Sequence, residues 1–169
     1  HIAIIGGGAA GFFAAIEAKR NFPHADITIF EKNSKVLAKV KITGGGRCNL
    51  TNSFDEISDL KQAYPRGHKL MKRLFKRFDY QHAFDWFEEN GVPLVTQEDQ
   101  CVFPQSQDSH SIIDCLVNTA KRLGVKIQCN HQLTAITELE DERLLLDFKT
   151  SHPVSEIRQI AFHRVAITT

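Results

Sequence analysis

The chain has 169 residues, 42% hydrophobic and 24% charged, which describes a globular domain with one sizeable core and excludes a disordered segment. A formal net charge of +1 produces no whole-molecule field toward nucleic acid or anionic lipid, so any such binding has to be local. Cys48, Cys101, Cys115 and Cys129 form no C-x-x-C pair and no His stands near them at zinc-ligand spacing, so no metal site is expected.

Ile2 to Ile5 is a short apolar run of the kind buried on both faces in a parallel sheet. It opens onto GGGAAG. Ala9 to Arg20 follows as a helix with Phe12, Phe13, Ala15 and Ile16 on its apolar face, and Asp26 to Glu31 is a second strand. The first thirty residues therefore form a β-α-β unit. From Asn33 to Asn52 no periodicity holds, and the segment reads as a long ligand-facing loop.

Gly67 to Phe78 reads as a basic amphipathic helix, with Leu70, Met71, Leu74, Phe75 and Phe78 opposed to Lys69, Lys72, Arg73, Lys76 and Arg77. Its apolar stripe is read as core and its basic face as solvated. Asp79 is the expected N-cap of a further helix through Glu89, which stops at Asn90-Gly91. Ser109 to Leu123 is another helix, capped by Ser109 and ended by Gly124. Val125 to Cys129 is a strand, Leu133 to Leu139 and Leu144 to Thr150 make a hairpin around Glu140-Asp141-Glu142, and further strands are expected near Ile157 and from Phe162 to Thr169. The closing run VAITT stops without a cap, and the chain is expected to be a fragment of a longer protein.

Gly6-Gly7-Gly8-Ala9-Ala10-Gly11 satisfies G-x-G-x-x-G between a strand and a helix. The pattern assigns Gly6 to a tight turn, Gly8 to close approach by a pyrophosphate and Gly11 to close packing of helix on strand. Glu31 lies twenty residues beyond Gly11 at the end of the second strand, where a carboxylate accepts hydrogen bonds from adenosine ribose hydroxyls and disfavours a 2′-phosphate. Lys32, Lys35, Lys39 and Lys41 precede a second glycine run. Lys39 is read as phosphate-facing, Lys35 and Lys41 as solvated. In ITGGGRCNLTN, three glycines free the backbone N–H groups to point inward and Arg47 adds a cation suited to a phosphate.

GGGAAG with FEK, then KVKITGGGRCNLTN, then QCVFPQS from Gln100 to Ser106, resembles a bacterial family of FAD-dependent flavoproteins of the glutathione-reductase type, described as NAD(P)/FAD-dependent or aminoacetone-oxidase-like oxidoreductases. The resemblance covers essentially the whole chain. It implies an α/β three-layer Rossmann-like FAD-binding domain over 1–169, with a parallel sheet, a small antiparallel β-meander containing the hairpin 133–150, and a helical excursion over 53–91. It places Gly6, Gly8, Ala9, Ala10 and Gly11 along the FAD pyrophosphate and Glu31 on the adenosine ribose. It adds Gly44, Gly45, Gly46, Arg47, Cys48 and Asn49 near the pyrophosphate and flavin, Leu133 at the adenine edge and Thr168 beside the cofactor; Lys32 and Lys39 are counted among the cofactor-binding residues from their place before the second glycine run.

The function so implied is that of the FAD-binding part of a flavin-dependent oxidoreductase, with a small-molecule substrate and possible use of NAD(P)H by the full-length protein. No residue is assigned as catalytic. Neither nucleic acid nor membrane is expected as a partner, and the absence of a signal-peptide pattern or a bilayer-spanning apolar run leads to the expectation of a cytoplasmic protein with reduced thiols. Two alternatives remain at this point: an NAD-dependent dehydrogenase, because the fingerprint and Glu31 serve both cofactors, and a nucleic-acid-binding module led by the basic segment 66–77. Asp108, Ser109 and His110 carry the residue types of a hydrolase triad but no triad geometry. Cys48, beside a cation, is a candidate for a lowered thiol pKa, against a packed, unreactive thiol.

Overall fold

A computed structural model describes residues 1–151 and 156–169. The chain divides into two compact units, His1–Val40 with Leu116–Thr169, and Lys41–Cys115.

The first unit is built on β1 (Ile2–Ile5), α1 (Ala9–Asn21) and β2 (Ile27–Phe30), as the fingerprint requires. α2 covers Ala38–Ile42, a five-residue helix inside the stretch read as a loop; five residues are too few to carry a legible apolar period. In the second unit come a 3₁₀ turn at Thr43–Gly46, β3 (Thr51–Asn52), α3 (Leu60–Ala63), α4 (His68–Phe75), α5 (Tyr80–Glu89), β4 (Leu94–Thr96) and β5 (Cys101–Pro104). α6 (Ser109–Arg122) leads back into the first unit, which is completed by β6 (Lys126–Gln128), β7 (His131–Glu138), β8 (Leu144–Thr150), β9 (Ile157–Phe162) and β10 (Arg164–Ile167).

β10, β1, β2 and β6 form a four-stranded parallel sheet in that order. β7, β8 and β9 form an antiparallel meander. Strand alternation sends Ala3, Ile5 and Phe30 to one face, where they close a core with Leu146, Phe148 and Phe162 of the meander. Phe30 and Phe148 stack with centroids 4.3 Å apart. α1 packs on β1 and β2 through buried Gly11, Phe12, Ala15 and Ile16. The α/β Rossmann-like expectation with a parallel sheet and a meander is met.

In the second unit, β3, β5 and β4 pair antiparallel, and α5 lies on β3 and β4 with Trp86 and Phe87 buried. The helical excursion expected over 53–91 falls within this unit. Asp79 caps α5 as expected: its carboxylate accepts from His82 N–H at 3.0 Å, in a capping box with the His82 side chain. α4 is shorter than expected and contains no buried residue. The apolar stripe read as core is therefore corrected, with Leu70, Leu74 and Phe78 exposed.

Candidate functional site: the glycine turn and its cleft

The turn from β1 into α1 is fixed by backbone bonds that admit little but glycine. Gly6 has φ +115° and donates its N–H to Phe30 O at 2.8 Å. Thr168, just beyond β10, donates its Oγ1–H to Ile5 O at 3.0 Å and Gly6 O at 3.2 Å, clamping the turn from the neighbouring strand. A Cβ on Gly11 would collide with Gly6 O and lie 2.9 Å from Thr168 Oγ1, so helix and strand approach too closely for any side chain.

Gly8 differs. It is the N-cap of α1, and a Cβ built on it meets nothing within 4 Å. Phe12 N–H is bonded back to Gly8 O at 3.1 Å, and helix geometry leaves the N–H groups of Ala9, Ala10 and Gly11 ahead of it without intrahelical acceptors. Free donors, the positive end of the helix dipole and open space at Gly8 make a seat for an anion.

Glu31 is bound to this turn. Its Oε2 accepts from Gly7 N–H at 2.9 Å, while Oε1 accepts from the N–H and Nδ2–H of Asn33, both at 2.8 Å. An ionised carboxylate has about four acceptor positions, so these three bonds leave room on Oε2 for one further donor. The sequence pattern missed Gly7. A Cβ there would come within 2.8 Å of Val36 Cγ1 and 2.9 Å of Glu31 Cβ, so the middle glycine is what lets the acid close on the turn.

A cleft of about 720 Å³, within the size range of cofactor sites, opens beside this turn. Gly6, Gly8, Ala9, Ala10, Glu31, Lys32, Lys39, Leu133 and Thr168 all line it, as does Lys35, which was read as merely solvated. Gly11 does not line the cleft; it acts from behind the turn. β7 is an edge strand of the meander, so backbone groups along one of its sides, in the stretch that includes Leu133, have no strand partner.

His131, also in the lining, was not singled out from the sequence. Its Nδ1 bonds Cys129 O at 2.7 Å, which places the proton on Nδ1 because a carbonyl only accepts; Nε2 is buried with no partner. Nothing in the local sequence signals this. Burial, and then the Glu31 charge, push the neighbouring Cys129 thiol up.

Gly44 to Asn49 belong to the second unit and are tied within it. Gly44, Gly45 and Gly46 have φ of 59°, 68° and 89°, so all three lie in the left-handed region that glycine adopts most readily. A Cβ on Gly44 would also meet Asn49 N at 2.6 Å and Phe103 Cε1 at 2.8 Å. Arg47 donates Nε–H to Gly44 O and Nη1–H to Gln107 Oε1, each at 3.2 Å, and its guanidinium sits 4.2 Å over the Phe103 ring. Its charge braces the loop. Asn49 donates Nδ2–H to Cys101 Sγ at 3.3 Å.

Cys48 is buried, and burial pushes its thiol up from 9.0 to about 11, which corrects the candidate lowered pKa in favour of a packed thiol. Asp108, rather than Ser109, caps α6, accepting from His110 N–H at 2.9 Å. Ser109 donates its hydroxyl to Lys41 O at 3.0 Å, so it is not aligned on His110 as a nucleophile. Among the described residues no group of three His, Cys, Asp or Glu is placed to hold a metal, and no helix is long and apolar enough to cross a membrane.

The HI0933-like protein Rossmann domain model matches residues 1–163. The chain belongs to this family. A 3-dehydro-bile acid delta(4,6)-reductase of Clostridium scindens is 31% identical over 135 residues, 80% of this chain and 32% of the relative. A ribosomal RNA dihydrouridine synthase of Haemophilus influenzae is 24% identical over 139 residues, 82% of this chain and 33% of the relative. The chain thus spans about a third of the length of these curated relatives. In fold it is similar to a 3-ketosteroid-delta4-(5alpha)-dehydrogenase from Rhodococcus jostii, with a TM-score of 0.72 at 16% identity over 98% of this chain and 44% of that one. The family bears out the flavoprotein resemblance, with FAD as the cofactor.

Proposed function

We propose that this chain is the part of a flavin-dependent oxidoreductase that seats the ADP half of FAD. The observation that carries the reading is the bare Gly8 beside the Glu31 carboxylate, with open space at the first and a spare acceptor position on the second. A diphosphate would lie against Gly8 and the N–H groups of Ala9 and Ala10, with Lys32 and Lys39 supplying cations at the cleft edge. Glu31 Oε2 would accept from a ribose hydroxyl, and the backbone at Leu133 would edge the adenine. When bound, the flavin supplies the two-electron chemistry, and the residues described here hold and orient it.

Gly44 to Asn49 are proposed to take part in cofactor binding through the backbone N–H groups of their own loop, which Arg47 braces. For the full-length protein the names of the two relatives share one reaction class, addition of hydrogen across a carbon–carbon double bond, and that class is the proposed activity. The test is a visible spectrum of the full-length protein, followed by denaturation and identification of what is released. Released FAD supports the reading. A colourless protein that binds NAD and not FAD in calorimetry overturns it.

A further inference from the structure

The basic helix of the second unit is the largest feature that the cofactor reading leaves unused. Arg66, Lys69, Lys72, Arg73, Lys76 and Arg77 are all exposed, none forms an ion pair among the described residues, and no acidic residue lies from 66 to 78. Helical spacing sets Lys69, Lys72, Arg73 and Lys76 in one row, with Leu70, Leu74 and Arg77 in the row beside it, while Arg66 precedes the left-handed Gly67 that caps the helix. Lys69 with Arg73, Lys72 with Lys76, and Arg73 with Arg77 are like-charge pairs four residues apart, an arrangement that destabilises the free helix. The helix dipole favours Lys72 and Arg73 in the last turn, but among the described residues no acid pairs with the row, whereas a polyanion would supply that charge.

The inward side of the helix is already committed. Phe75 packs edge-on against Phe54 at 5.4 Å and Tyr64 at 6.2 Å, Phe54 stacks on Tyr80 at 6.0 Å, and His68 and Met71 are half-buried in line with Phe75. An interfacial membrane helix has to lay its whole apolar side into the lipid. Here Phe75 anchors that side to the aromatic cluster, while Leu70, Leu74 and Phe78, 50%, 49% and 40% exposed, remain outside among the cations. The outward surface is an exposed cation array that fits a phosphate backbone.

We propose that the outward face of α4 is a docking surface for the phosphate backbone of structured RNA. It takes up the nucleic-acid alternative that the basic segment 66–77 left open. The charge complementarity comes from this chain alone; the choice of RNA as the source rests on the reading above that draws on the ribosomal RNA-modifying relative. The surface lies within the second unit, so its binding can be measured with or without FAD.

The experiment is fluorescence anisotropy of a labelled RNA hairpin titrated with the full chain at several salt concentrations. Six phosphate contacts would make affinity fall roughly a thousandfold between about 50 and 200 mM salt. Lys72→Glu with Arg73→Glu pairs the new acids with Lys69, Lys76 and Arg77 at helical spacing, so this variant should melt no lower than the parent while losing at least about tenfold in RNA affinity at about 100 mM salt. Lys121→Glu with Lys149→Glu makes the same change in net charge at exposed positions elsewhere and should leave binding within about twofold. Absence of RNA binding, equal loss in both variants, or binding to phosphatidylserine vesicles without binding to RNA would overturn the proposal.

Discussion

The carboxylate of Glu31 accepts the N–H of Gly7 at 2.9 Å, joining the end of β2 to the middle of the glycine turn. The acid therefore shapes the turn as well as facing the cleft. Glu31→Gln cannot present acceptors at both oxygens, so its amide would oppose the N–H of either Gly7 or Asn33. We expect the substitution to weaken FAD binding and to destabilise the unit, each by about 1–3 kcal/mol, the scale for a lost hydrogen bond to a charged group. Calorimetry with FAD and a urea melt measure the two separately; unchanged affinity would remove Glu31 from the binding site.

Gly8 and Gly11 should fail in different ways. Gly8→Val places its side chain in open space with an ordinary extended backbone, so circular dichroism and melting should stay near those of the parent while FAD binding is lost. Gly11→Val drives a side chain into Gly6 O and should prevent folding. A folded Gly8→Val variant that binds FAD at the parental affinity would refute the anion seat at that residue.

Cys48 should resist alkylation in the folded protein and react once it unfolds, because burial holds the thiol up at about 11. Between the ordinary 9.0 and about 11, the unfolded thiol has lost its proton while the folded one keeps it. Folded protein then binds more protons, so stability contributed at this position is present below about pH 9 and lost as pH rises toward 11. Denaturant melts across that range on the parent and on Cys48→Ala check the sign: the parent's fall should be the steeper.

Asp79→Ala removes both halves of the capping box at α5 and should cost about 1 kcal/mol. Bonds from the His82 N–H and ring hold the Asp79 carboxyl below its usual range, so its contribution is complete above the ordinary 3.8 and fades as pH falls through the lowered value. Chemical melts at pH 7 and at steps below pH 3.8 should show the variant's deficit in full at the first and shrinking as pH falls.

Several features were legible from residues in order. Helix α1, the turn at Gly124, the cap at Asp79 and the hairpin around Glu140 to Glu142 each depend on contacts within a few residues, where spacing and backbone preference decide the outcome. Gly6, Gly8 and Gly11 could likewise be given separate duties before the fold was seen, because each duty follows from the strand–turn–helix geometry itself. Partners distant in sequence decided the rest. Arg47, a cation suited to a phosphate by its place in the loop, also lies over Phe103 and bonds Gln107, and burial decides between the two readings of Cys48 in favour of the packed thiol. The five apolar residues of the 67–78 segment share one helical stripe in the sequence, but which of them meet a neighbour depends on where Phe54 and Tyr64 stand. Only the tertiary structure settles that, because periodicity records the side a helix could bury while packing determines how much of it is covered.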